Sequence, residues 1–445
     1  MKKIILFLIS IFISSSIGYA GHYEFAGDGA RAKAMGGAFV AVADDASAYS
    51  WNPAGMALLQ EPEMSFMSRM RAQNYRELYP YDPNRWEESR PPYVFENWHD
   101  AMVFRESEEG GGPPMGDMRV MSYVYPWKRM AIGFGTLGYK QYMSEVSTHD
   151  SGRGPVILNC GGNTVSLSWT SRYEMNMEFG PPDFGTALAF RLGRFFYFGF
   201  KVGICSAPDR LETNKSREEY FPKIAAGGNT ITEPFYYWPW IRPESSLLSY
   251  SFGILLRLSR LSLGLVYKDF TTTRMVLQEG GAKNDTNYLY GIHNDFDFKY
   301  PRFIGGGVAL RIGEVFTISY QANFIAYSQM DYDPGDNWVF EDATEHHVGV
   351  EYVLFLGKEK NIAFPLRFGW YLEPSAQDFY KFRNKPYPEW TDFDTEQMEK
   401  KYSKDPDQHH ITLGTGFSRD QWSFDFTVDW CHRRIDIMFT PVLYF

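Results

Sequence analysis

The chain has 445 residues, 18% of them aromatic, a slightly negative mean hydropathy and a formal charge of −10. That charge, with no basic cluster, excludes a nucleic-acid-binding protein, because phosphate binding needs a Lys/Arg footprint. After residue 20 no segment offers the roughly 20 apolar residues of a membrane-crossing helix. The aromatic excess nevertheless suits strands that hide their hydrophobicity by alternation.

In chain order, Lys2 and Lys3 precede an apolar run from Ile4 to Ile13, and Gly18 and Ala20 form a small-residue cleavage site. This pattern predicts a secretory signal peptide over residues 1–20, with cleavage before Gly21. Residues 27–59 are rich in Gly and Ala and differ in composition from the rest of the chain. Within them Asn52 suits a helix N-cap and Pro53 a first helical position. The spacing predicts a short helix from Ala54 to Leu59, and a turn started by Asp44 or Asp45. A tight-turn reading of the Gly-rich stretch remains open.

From residue 63 onward the pattern is hairpins. Short polar turns stand at Trp127-Lys128-Arg129, Gly193-Arg194, Ser259-Arg260, Gly313-Glu314, Gly357 to Lys360 and Arg419-Asp420. Between them lie long segments, roughly 72–117, 144–182, 206–245, 272–299, 330–344 and 374–407. Trp422, Phe424, Phe426, Val428 and Trp430 share one face of a strand, against Ser423, Asp425, Thr427 and Asp429 on the other. Phe196 to Ile204, Ile362 to Leu372 and Ile435 to Phe445 alternate in the same way. Counting these strands from Met64 gives about 14, if the alternating stretch 164–178 is placed in a long loop rather than in the barrel. A Lys or Arg facing lipid at the midplane costs about 2–4 kcal/mol, so Lys201, Arg257, Lys268, Glu351, Arg367, Asp425 and Asp429 should face a lumen. A soluble β-sandwich with this alternation would expose far more aromatic surface than soluble domains do.

Several constellations invite chemistry. The loop at 206–245 contains Phe235, Tyr236, Tyr237, Trp238 and Trp240, and the loop at 272–299 contains Leu277, Tyr288 and Tyr290. Exposed aromatics of this kind bind an apolar ligand, pack on other loops, or sit at the membrane interface as a girdle. His346-His347 and His409-His410 offer at most one inward ligand per pair, because strand neighbours point to opposite faces. No metal or cofactor site is expected from them. Cys205 and Cys431 fall on strands and read as buried small residues; the spacing of Cys160, Cys205 and Cys431 matches no metal or redox motif. No nucleophile elbow or phosphate loop occurs, so an enzyme is not expected.

The stretch GARAKAMGGAFVAVADDASAYSWNPAG before such a barrel resembles the FadL/TodX superfamily of outer-membrane transporters. The resemblance rests on residues 27–59, with Asn52-Pro53-Ala54 as the family's Asn-Pro-Ala motif, and on a last strand ending in Phe445. It implies an all-β fold: a transmembrane antiparallel β-barrel of about 14 strands over residues 63–445. Residues 21–62 would be an N-terminal plug, or hatch. Arg31 and Lys33 in the plug would pair with Glu351, Asp425, Asp429 or Asp436 on the wall. The family's role is uptake of hydrophobic small molecules, such as long-chain fatty acids or hydrocarbons, captured first in an apolar groove between the two aromatic loops. Implied partners are that ligand, outer-membrane lipid and lipopolysaccharide, and the barrel-assembly machinery, which would read the terminal Phe445. The same motif occurs in PorV-like barrels of protein secretion, which makes a protein-binding scaffold the alternative.

Overall fold

Alternation becomes a ladder wherever two such strands meet, and here the ladder closes on itself. The computed structural model describes residues 26–73, 94–95, 115–137, 146–158, 163–178, 183–205, 209–211, 238–280, 296–330, 338–357, 361–374, 379–380, 407–432 and 434–445. The barrel strands are β1 (Glu63–Gln73), β2 (Met115–Trp127), β3 (Met130–Leu137), β4 (Asp183–Leu192), β5 (Phe196–Cys205), β6 (Leu247–Arg257) and β7 (Leu261–Phe270). They continue as β8 (Phe303–Ile312), β9 (Phe316–Ile325), β10 (Ala343–Leu356), β11 (Ile362–Glu373), β12 (Gln408–Arg419), β13 (Trp422–Trp430) and β14 (Arg434–Tyr444). Each pairs antiparallel with its sequence neighbours, and β14 closes on β1 with Glu63 opposite Tyr444. The count of 14 is even, and closure leaves no bare sheet edge in lipid.

The expected short turns stand between β2 and β3, β4 and β5, β6 and β7, β8 and β9, β10 and β11, and β12 and β13. Lys128, Gly193, Gly313, Gly357 and Asp420 take positive φ there, as tight hairpin turns demand. All six turns lie at one end, which the usual arrangement of such barrels makes periplasmic. The long connections lie at the other. One outer connection, from Cys431 to Arg433, is short instead. Cys431 accordingly falls just after β13 rather than on a strand; it is buried, as Cys205 is.

The stretch placed in a loop by its count is indeed outside the barrel. Asn163–Glu178 forms a strand paired with Val146–Leu158. Both belong to a second sheet of seven strands, ordered 296–298, 273–280, 238–243, 209–211, 163–178, 146–158 and 94–95. This sheet is built wholly from segments that leave the barrel's outer end.

The barrel's two faces differ as the alternation requires. Outward residues such as Phe184, Ile204, Phe252, Leu366, Phe368 and Leu413 are about half exposed. The expected lumen charges are inward: Lys201, Lys268, Glu351, Arg367, Asp425 and Asp429 are buried and Arg257 is half-buried. An antiparallel closed barrel with an apolar belt outside and charges inside is an integral outer-membrane barrel.

The core lies inside the barrel, between its wall and residues 26–62. This inner segment folds as α1 (Ala30–Ala34), α2 (Ala48–Trp51) and a 3₁₀ helix (Pro53–Leu58). Phe39, Tyr49, Trp51, Met35 and Met56 are all at 0% exposure, each contributing about 1.5–3 kcal/mol of apolar burial. Phe39 meets Trp51 edge-on at 5.9 Å.

Candidate functional site

The inner segment fits because the wall facing it is stripped of side chains. A Cβ on Gly349 would strike the Met35 carbonyl, one on Gly369 the backbone of Gly36, and one on Gly414 the Ala34 side chain. Gly36 itself has φ +61, and a Cβ there would lie 2.8 Å from backbone atoms of Val348 and Trp370. Small residues on both surfaces let backbone approach backbone.

Wall side chains then bond the segment's main chain. Gln321 Oε1 accepts from Phe39 N at 2.9 Å and Val40 N at 2.7 Å. Thr427 donates to the Ala30 carbonyl at 2.6 Å, and Thr412 to the Ala34 carbonyl at 2.9 Å. Lys268 Nζ donates to the carbonyls of Ala26 and Ser50, both at 2.6 Å. Such bonds satisfy main-chain groups that no sheet or long helix could satisfy in an irregular buried segment.

Asn52 performs both the expected capping and a further attachment. Its Oδ1 accepts from Ala54 N at 3.2 Å, with Pro53 opening the 3₁₀ helix. Its Nδ2 donates to Val40 O at 2.9 Å and to Ile254 O of β6 at 3.2 Å. Ala54 is fully buried against Tyr197 and Leu255. Of the two aspartates, Asp45 starts the turn, accepting from Ser47 N at 2.9 Å.

Toward the end bearing the short turns, the segment is held by charge. Arg31 places Nε 3.0 Å from Glu351 Oε2 and Nη2 3.0 Å from Oε1, a bidentate pair. Its Nη1 reaches Asp44 at 2.8 Å and Asp45 at 2.9 Å. Arg311 of β8 bonds Asp44 directly, and Arg257 of β6 lies 3.9 Å from it. Arg367 links Glu351 at 2.7 Å to Asp425 at 2.6 Å. Burial alone would raise the Asp44 carboxyl, but the guanidiniums of Arg31, Arg311 and Arg257 overcome it and hold that group well below the usual carboxylate range. Burial opposes the Arg31 charge, and Glu351, Asp44 and Asp45 more than restore it. Of the wall partners expected for Arg31, Glu351 is the one it bonds. Lys33 lies over the Trp51 ring, 6.0 Å from its centroid. Asp436 instead faces Arg69 at 3.8 Å. Arg311 was not singled out from sequence, since it stands two residues before a turn glycine and reads as a turn flank.

At the opposite end each histidine pair splits as strand geometry requires. His346 stacks on Tyr320, and His409 on Trp370, both on the outer face. His347 and His410 point inward, on either side of Tyr371, whose ring stacks on them at 5.2 and 4.1 Å. His347 Nδ1 donates to the Gly36 carbonyl at 2.6 Å, and its Nε2 faces Asn323 at 2.9 Å. His410 sits between Asp429 at 2.9 Å and Glu373 at 3.1 Å. Among the described residues no group of three or more His, Cys, Asp or Glu is placed to hold a metal ion.

The two aromatic loops meet. Trp238–Pro243 pairs antiparallel with Thr273–Gly280: Trp238 lies opposite Gly280, Trp240 opposite Gln278, and Ile241 opposite Leu277. Phe235, Tyr236, Tyr237, Tyr288 and Tyr290 lie outside the described residues, as do residues 1–20 and Cys160.

Comparison with known proteins agrees with this architecture. A model described as an uncharacterised protein family, UPF0164, matches residues 24–77, which span the inner segment and β1. No curated protein matches the chain in sequence. The Ralstonia pickettii toluene transporter TbuX is 13% identical, with a TM-score of 0.53, over 95% of this chain and 99% of that one. The P. putida toluene transporter TodX is 12% identical over 95% and 99%, and the CymD monoaromatic hydrocarbon channel 11% over the same shares, each with a TM-score of 0.49. The likeness to TbuX shows that the two chains share one fold along nearly their whole lengths.

Proposed function

We propose that this protein takes up hydrophobic small molecules across the outer membrane, with residues 26–62 as the plug that gates the barrel. The observation that carries the reading is the way this segment is held. It lies in the lumen on many main-chain bonds to single wall side chains, and it is locked by charge near the periplasmic turns. The fold shared with a toluene transporter supports the same reading.

In this reading the aromatic loops, joined strand to strand through Ile241 and Leu277, collect an apolar molecule outside. The molecule moves into the lumen, and a local shift of the plug lets it pass. Phe235, Tyr236, Tyr237, Trp238, Trp240, Leu277, Tyr288 and Tyr290 are the proposed ligand contacts. Arg31, Lys33, Asp44, Asp45, Asn52, Pro53 and Ala54 are the proposed gate. Affinity should grow with buried chain length, about 0.8 kcal/mol per CH₂, which favours long-chain fatty acids over short ones.

Uptake of labelled oleate and labelled toluene into cells producing the protein tests this. Saturable uptake of at least one is expected, and removal of residues 27–59 should replace it with unsaturable leakage. Saturable uptake that survives the deletion would sink the gating role, and no uptake of either compound above background would sink transport.

A further inference from the structure

We infer that the barrel's outer wall carries a binding site for the phosphate of an outer-leaflet lipid, built by Lys299, Arg302 and Tyr267 around Asp269. The site lies on the lipid-facing side, apart from the lumen, where the connection at 272–299 returns to the barrel. Tyr250 is in register with Asp269 across β6 and β7, and Arg302, the residue before β8, bonds Asp269 at the outer ends of these strands. The next row toward the membrane is Phe252, Tyr267 and Ile304, of which Phe252 and Ile304 are exposed apolar residues. On β7 and β8 charge therefore replaces oil within a single residue pair, as at a boundary between acyl chains and headgroups, while on β6 exposed Leu248 lies one row farther out.

The chemistry at that boundary is cationic. Lys299 Nζ is 2.8 Å from one Asp269 oxygen, and Arg302 Nε is 3.2 Å from the other. Tyr267 OH donates to Asp269 at 2.8 Å, and the Arg302 guanidinium lies over the Tyr267 ring at 5.8 Å. Two cations thus meet one carboxylate, leaving a surplus positive charge. Asp269 is buried beneath them at 3% side-chain exposure, whereas Lys299 and Arg302 are 23% and 39% exposed. The carboxylate orients the cations and takes only part of their donor capacity, since an ammonium has three N–H groups and a guanidinium five. What faces this patch in the membrane is the headgroup layer, whose anionic group is phosphate. Tyr250 and Tyr267, with ring centroids 6.5 Å apart and planes tilted by 34°, supply an aromatic floor for the first part of the chains.

Native mass spectrometry of the full chain in mild detergent tests the site with two probes, phosphatidylglycerol and diacylglycerol of the same chains. The phosphate-bearing lipid should be retained and the diacylglycerol not. Removing the cations in K299Q and R302Q should each lower retention about five-fold, while R302K keeps it. A photoreactive phosphatidylglycerol on the unaltered protein should label peptides covering 267–269 and 299–304. Equal retention of the two lipids, full displacement by inorganic phosphate, or labelling confined to other strands would each overturn the proposal.

Discussion

Three guanidinium groups meet at Asp44, and their origins explain why it matters. Arg31 comes from the inner segment, Arg257 from β6 and Arg311 from β8. An Asp44→Ala change leaves three like charges facing one another in a partly buried site. It should weaken local attachment by about 2 kcal/mol, or roughly 30-fold in the opening constant. Hydrogen exchange of peptides covering residues 39–51 measures this; an unchanged rate would mean that the main-chain bonds from Gln321 and Lys268 hold the segment alone. The depressed carboxyl sets the sign with pH. A group whose folded value is lowered contributes fully above its ordinary value, about 4, and loses that contribution only as pH falls through the lower folded value. Exchange of the same peptides, corrected for intrinsic rate, should therefore show no acid loosening between about pH 7 and pH 5. Asn52 was legible in the sequence, because a cap before proline has a local signature; Arg31 was legible as a cation bound for the wall, with Glu351 one of four carboxylates it could meet. Arg311 was not, because its partner lies 267 residues away and nothing local marks it.

At the scale of elements, alternation made the strands legible, and polar pairs between them made the turns legible. The outer sheet was not foreseen as a sheet. Its strands are short, as with Asp209–Leu211 and Phe296–Phe298, and their partners come from different long connections. Pairing between separate loops leaves no periodicity to read. Only the longest member, Asn163–Glu178, alternates enough to be noticed, and the even strand count kept it out of the barrel. The pairing that joins the two aromatic loops, Ile241 opposite Leu277, can be trapped. Directly opposed strand residues bring Cα atoms within the span a disulfide bridges. In a Cys160→Ser background, I241C with L277C should oxidise to an intramolecular disulfide, read by mass and by loss upon reduction. Pairs offset by two, such as I241C with E279C, should oxidise much more slowly. Equal rates for both pairs would mean that the two loops are not held in register. If the loops must part to pass a ligand inward, the locked pair should also slow uptake, and reduction should restore it.

For the whole molecule, the question is whether the barrel needs its contents. The wall's own ladder runs unbroken from β1 through β14 and back, and none of those pairings involves residues 26–62. The short turns are equally independent of the segment. Several lumen charges also keep wall partners without it: Lys201 with Asp183 at 2.7 Å, and Arg367 with Glu351 and Asp425. Others would lose theirs, as Lys268 would lose the Ala26 and Ser50 carbonyls, but an emptied lumen fills with water, which solvates them. Phe39, Tyr49 and Trp51 would depart together, and the wall side chains they cover, such as Met67, Val124, Val266 and Met438, would be left facing the lumen. The glycines left on the wall, such as Gly349, Gly369 and Gly414, expose little apolar area. Deleting residues 27–59 should therefore leave a closed barrel that still shifts on a gel when heated in detergent, and proteoliposomes carrying it should swell in small sugars that the intact protein excludes. A deletion that no longer closes would show that the packed core against the segment, and not the ladder, supplies the barrel's stability, and the segment would then be a folding element before it is a gate.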